Sequence, residues 1–135
     1  SDAAKKELGI LEQAVMDIVT GSIAAFNHDN MGEAMKIEPL EQIIDDLKEE
    51  LRTRHIMRLS RGDCTIEVGF VWSDLLTNLE RVSDHCSNIA GCVLDIAAQN
   101  MNLHESLRAV RRDSAEYEAQ FNYYAEKYAL APMGE

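Results

Sequence analysis

Apolar residues recur at Leu8, Leu11, Val15, Ile18 and Ala25, with Ser22 filling the remaining slot of the stripe. That spacing predicts an amphipathic helix over about 1–28, closed by the run Asn27-His28-Asp29-Asn30, whose side chains compete for backbone hydrogen bonds. A short helical stretch up to Lys36 follows. Pro39 suits the first turn of a second helix, where its missing N–H costs nothing, and Ile37, Leu40, Ile44, Leu47 and Leu51 give that helix one apolar face over 37–60. Gly62 reads as its terminator and Asp63 as the cap of the next. The third helix, 63–99, carries Val68, Trp72, Leu75, Leu79, Val82, Cys86, Ile89, Val93 and Ile96 in unbroken steps of four and three, which predicts a core seam. Beyond Asn100 and Asn102 the pattern predicts C-terminal helices within 103–130. One runs from Leu103 to Arg112; a second, after a break near Asp113-Ser114, bears Tyr117, Phe121, Tyr124 and Tyr128. Three long helices joined by short turns make an all-α, antiparallel three-helix bundle with extra C-terminal helices.

Size and composition narrow the class. A chain of 135 residues is one domain with room for one continuous core. A formal charge of −11 repels nucleic acid and excludes a broad footprint on it. Cys64, Cys86 and Cys92 are odd in number and lack a Cys-x-x-Cys spacing, so neither a disulfide framework nor a zinc knuckle is expected. No transmembrane span is expected either: Asp17 interrupts the run from Val15 to Phe26, and Asp95 stops the run ending at Leu94. Because the helical pattern starts at once after Ser1-Asp2-Ala3, the chain reads as a piece of a longer protein.

Charge then becomes informative in detail. The second helix reads LEQIIDD from Leu40 and the third LERVSDH from Leu79, so Glu41/Asp45 and Glu80/Asp84 repeat one Glu-x-x-x-Asp spacing. Residues four apart share a helix face. Glu41 stands 21 residues before Gly62 and Asp84 stands 22 after it; Asp45 stands 17 before and Glu80 18 after. In an antiparallel hairpin all four carboxylates therefore fall at one level. Each pair lies more than about 120° from its own core seam, and periodicity leaves open whether they converge in a groove or splay into solvent. Converging, they offer hard oxygen ligands for iron, manganese, magnesium, calcium or, less well, zinc. Splayed, they are a solvated acidic face. Glu49, His85 and Asn88 stand at the margin of this set. Arg52, Arg54, Arg58 and Arg61 read as a basic helix end complementing the helix dipole, with contact to an anionic partner as the alternative, and Arg108, Arg111 and Arg112 form a second small patch.

The stretch DLLTNLERVSDHCSNIA, Asp74 to Ala90, closely resembles the signature helix of PhoU-like proteins. With LRTRHIMRLSRGDC ahead of it, Leu51 to Cys64, the chain resembles more narrowly the cytosolic C-terminal region of bacterial sodium/phosphate cotransporters. Such domains typically hold two three-helix repeats whose Glu/Asp-x-x-x-Asp motifs bind multinuclear iron or other metal clusters. The resemblance thus implies that Glu41/Asp45 and Glu80/Asp84 converge on a metal, iron foremost. With room for a single repeat, a second cluster is not expected. The resemblance also implies a partner, the transmembrane phosphate-transporter domain of the same protein, at the cytoplasmic side of the inner membrane; a homo-oligomer is left open. The expected function is a non-catalytic, metal-binding regulatory domain of a sodium-dependent phosphate transporter. An oxygen-activating di-iron bundle is disfavoured, since no histidine has glutamate three residues before it. A metal-independent interaction module docking a transporter or signalling partner is the alternative.

Overall fold

The computed structural model describes residues 1–101 and 115–133. Its elements are α1 (Asp2–Asn27), α2 (Met31–Met35), α3 (Ile37–Ser60), α4 (Ile66–Met101) and α5 (Ala115–Lys127), with no strand among the described residues. The expected helix from Leu103 to Arg112 and the patch Arg108, Arg111 and Arg112 lie outside the described residues. The all-α bundle stands as read: α1, α3 and α4 pack on one another, and α5 packs on α3.

Local chemistry sets the ends. Ser1 Oγ accepts from the Ala4 N–H at 3.3 Å, and Asn30 Oδ1 accepts from the Glu33 N–H at 3.2 Å, capping α1 and α2. Asp29 takes the left-handed turn between them at φ 47. At the end of α3 the Gly62 N–H donates to the Leu59 carbonyl and the Asp63 N–H to the Arg58 carbonyl, with Gly62 at φ 78. This is the Schellman arrangement, which glycine adopts without a Cβ penalty. Asp63 is thus spent in closing α3. The cap of α4 is Thr65, whose hydroxyl accepts from the Val68 N–H at 3.4 Å, so α4 starts three residues later than expected.

The faces of α1 and α3 are buried as read, Leu11, Val15, Ile18, Ser22 and Ala25 on one and Ile37, Leu40, Ile44, Leu47 and Leu51 on the other, except that Leu8 is only partly buried. The seam of α4 is corrected. Leu76, Ser83, Cys86, Ala90, Val93, Leu94 and Ala98 are buried, whereas Val68, Val82, Ile89 and Ile96 are exposed. Relative to the expected seam, α4 is rotated by roughly 50° about its axis. Small Ser83 and Ala90 fill the buried places expected of Val82 and Ile89.

α1 also departs from expectation. By length and composition alone it is apolar enough to cross a membrane, with a mean hydropathy of 1.3 over its best window. Its polar side chains are nonetheless tied into the bundle. Glu7 is buried and accepts from Arg54 Nη1 at 2.9 Å and Arg58 Nη1 at 2.8 Å. Asp17 accepts from Lys127 Nζ at 2.7 Å and from the Tyr128 hydroxyl. These bonds bring the end of α5 against α1 as well as α3. They also correct the reading of the arginines: Arg54 and Arg58 are core residues, Arg54 donating to the Ala131 carbonyl at 2.7 Å and Arg58 standing 5.8 Å from the Trp72 ring centre.

Two stability outcomes follow. Glu7→Ala leaves two buried guanidinium groups without their shared carboxylate and is expected to cost about 3–5 kcal/mol in urea unfolding. Ala90→Leu overpacks the buried face of α4 and is expected to cost about 1–3 kcal/mol.

Candidate functional site

The rotation of α4 decides where its acids face. Measured from the buried seam through Ser83 and Ala90, Glu80 and Asp84 lie roughly 100° around the helix rather than on its back, on the flank bordering α3. Two contacts fix that flank. Lys48 Nζ of α3 stands 2.7 Å from Glu80 Oε1, 3.7 Å from Glu49 Oε1 and 4.0 Å from Asp45 Oδ1. Two turns along, Ser87 Oγ of α4 donates to Glu38 Oε2 at 3.4 Å. Glu80 of α4 therefore borders the groove beside the acids of α3, whereas Asp84 is exposed.

Electrostatics carry the same message. Burial, and after it the charges of Asp45, Glu38, Asp84 and Glu80, push the Glu41 carboxyl up to about 7. Asp45 is also pushed up, by burial first, with Glu80, Asp84 and Asp46 adding to it and Lys48 pulling the other way. Lys48 is held above the usual lysine range, against its burial, by the hydrogen bond to Glu80 and the charges of Glu80, Asp45 and Glu49.

Not every candidate belongs. Glu49 lies at the rim, exposed, accepting from Arg52 Nη1 at 3.1 Å. His85 and Asn88 are exposed, and His85, one residue past Asp84, is turned a further ~100° from α3. Two participants were missed by sequence reasoning. Glu38 lies three residues before Glu41 and Lys48 three after Asp45, so helical spacing alone was the signal for both.

The donor set suits a hard cation in type and charge: half-buried Glu41, Asp45 and Glu80 with exposed Asp84, all carboxylates. In spacing the fit is incomplete. Among the described residues no three His, Cys, Asp or Glu side chains come together closely enough to hold one metal ion. The cation actually at the cluster is the Lys48 ammonium.

Comparison with known proteins supplies the family. A family model described as the PhoU domain matches residues 9–93, a span that includes both acidic pairs. The chain belongs to the PhoU family. It is similar to the phosphate-specific transport system accessory protein PhoU homolog 1 of Thermotoga maritima (strain ATCC 43589 / DSM 3109 / JCM 10099 / NBRC 100826 / MSB8), with 27% identity over 109 residues. Those residues are 81% of this chain and 47% of the relative, so the chain spans about half the length of the PhoU protein it matches. No solved structure matches it significantly.

The titration of Glu41 gives this PhoU domain a pH signature. Its carboxyl titrates at about 7 when folded against 4.5 in its ordinary state. Between those values the folded chain keeps a proton that the unfolded chain has lost, so stability falls as pH rises from about 4.5 to 7 and the deficit is complete above 7. In the presence of chelator, Glu41→Gln is expected to melt about 4 °C above the parent at pH 8, a gain of about 1 kcal/mol after allowance for solvent screening. The difference should vanish at pH 4, where both forms are neutral.

Proposed function

We propose that this chain is a non-catalytic regulatory domain of phosphate transport that takes a hard cation on its α3–α4 groove. The observation that carries this reading is the placing of Glu80 of α4 beside the acids of α3, where burial and like charges push the Glu41 carboxyl up to about 7. Desolvated carboxylates at one level are costly for folding alone and favourable for binding a di- or trivalent cation. Glu41, Asp45, Glu80 and Asp84 would hold it, with iron first among the ions and manganese, magnesium, calcium or zinc behind it. Bound there, the ion would supply positive charge that draws α3 and α4 together, a structural and regulatory role without a reaction.

The phosphate-transport assignment rests on membership of the PhoU family and on the name of the Thermotoga maritima relative, an accessory protein of a phosphate-specific transport system. The finer reading is that the domain works on the cytoplasmic side of the inner membrane, with the transmembrane domain of a sodium-dependent phosphate transporter in the same protein as its partner. It rests on the likeness of LRTRHIMRLSRGDC and the helix after it to the cytosolic region of such cotransporters.

A specific observation favours a second reading. Lys48 already sits on Glu80 at 2.7 Å, a tethered cation that suits a metal-independent docking module. Calorimetric titration of the purified chain with ferric, manganous and zinc ions separates the two. On the metal reading Asp45→Ala and Asp84→Ala each weaken binding at least about tenfold, roughly 1.4 kcal/mol, and a saturating ion raises the melting temperature of the parent alone. Lys48→Met, which frees Glu80, should tighten binding. Equal binding by parent and both alanine variants removes the metal claim, and transporter binding unaffected by chelator then supports the docking module.

A further inference from the structure

Three buried side-chain polar atoms among the described residues lack a hydrogen-bond partner: His55 Nε2, Arg58 Nη2 and Ser83 Oγ. Ser83 sits on the packed inner face of α4, and His55 Nε2 is abutted by Gly69, where a Cβ would stand 2.8 Å from it. Arg58 differs because it lines a cavity. The residue is 8% exposed, and its Nη1 donates to Glu7 Oε2 at 2.8 Å while its Nη2 donates to nothing. Trp72, with its ring centre 5.8 Å from the guanidinium carbon, offers that group a π face but no lone pair. An unmet donor on a buried charge is costly, and an acceptor arriving from solution removes that cost.

The cavity has a volume of about 580 Å³ and lies where the start of α1, the end of α3 and the segment after α5 meet. Its charged lining is Lys6, Arg58 and Arg61 against Glu7 and Asp63, a cationic excess in a chain of charge −11. Glu7 is moreover already engaged by Arg54 and Arg58. The positive end of the 26-residue α1 borders the cavity through Ser1 and Ala3. A helix start joined by a buried guanidinium and a lysine is suited to an oxyanion. The remaining lining is apolar, with Ala3, Ile10, Pro132 and Met133. Its size falls within the range of about 300–1,000 Å³ for sites that take organic molecules.

We propose that this cavity binds a small, soluble organic phosphate monoester. Its phosphate accepts from Arg58 Nη2 and lies beside Lys6 at the start of α1; its organic body lies on Ala3, Ile10, Pro132 and Met133. Phosphate suits the site better than carboxylate, because its three free oxygens can meet the guanidinium, the ammonium and the first-turn N–H groups together. The apolar lining, which inorganic phosphate would leave uncovered, calls for an ester group. A soluble ester is favoured over a lipid headgroup, since a chain of charge −11 is repelled by an anionic bilayer. The inference is independent of cation binding at the α3–α4 groove.

Phosphorus NMR titration of phenyl phosphate with the purified chain, in chelator and at fixed ionic strength, tests it, with circular dichroism to verify folding. The parent is expected to bind phenyl phosphate, and to bind inorganic phosphate at least about tenfold more weakly for want of the apolar body. Lys6→Glu, on an exposed side chain, is expected to weaken binding at least about tenfold. Arg58→Lys, which keeps a cation for Glu7 but removes Nη2, is expected to do the same. Lys5→Glu makes the same charge change one residue outside the lining, and Asp45→Ala alters only the α3–α4 groove; both should bind as the parent does. Absence of binding, binding that Lys6→Glu leaves unchanged, a loss shared equally by Lys5→Glu, or equal affinity for inorganic phosphate would each overturn the proposal. So would a chain that ignores phenyl phosphate yet co-sediments with vesicles of phosphatidylcholine and phosphatidate.

Discussion

The burial of Ser83 and Ala90 on the inner face of α4 is the constraint from which the rest follows. Because those small residues face inward, α4 settles with Glu80 beside the acids of α3 and with Val82, Ile89 and Ile96 exposed. Had the larger aliphatic residues been buried instead, a rotation of roughly 50° would have carried the acids onto the outer back of the helix. Packing density thus decides electrostatics: a choice between methyl groups in the core determines whether four carboxylates repel across a groove or dissolve separately in water.

Two polar clusters divide the bundle between stability and function. At one end Glu7 is shared by Arg54 and Arg58, so the buried charges find partners and close the core beneath Trp72. Midway along the α3–α4 hairpin the balance is reversed: Lys48 meets Glu80, Glu49 and Asp45, while Glu41, a turn further on, faces the like charges of Asp45, Glu38, Asp84 and Glu80. In the first cluster each charge is paired within the chain, although Arg58 Nη2 has no hydrogen-bond partner. The second keeps surplus negative charge at a partly desolvated place, the condition under which a cation from solution binds. That contrast, more than the motif by itself, gives the α3–α4 groove its functional reading.

Much of this was legible from residues alone. The stripes of α1 and α3, the glycine closing α3 and the common level of the acidic pairs all follow from helical spacing, which the backbone imposes locally. The seam of α4 did not, since Val82, Ile89 and Ile96 follow the 3–4 pattern as faithfully as Leu76, Ser83 and Ala90, and hydrophobicity favours the former. Only the fit of neighbouring helices selects the smaller set. Arg54 and Arg58 misled for a related reason: burial of arginine depends on a carboxylate, Glu7, some fifty residues away, and no local signal announces it. The same blindness hid Lys48, whose partner Glu80 lies on another helix. Asp17 made α1 look polar enough to exclude a membrane span, whereas its mean hydropathy passes that test by length and composition.

The central claim is that the α3–α4 carboxylates gather to hold a cation. Anomalous diffraction from crystals of the chain grown with manganous ion addresses it most directly. The account requires a peak between Glu41/Asp45 and Glu80/Asp84, with Lys48 drawn off Glu80. A groove without a peak, its Lys48–Glu80 pair intact and its remaining acids hydrated, would contradict it.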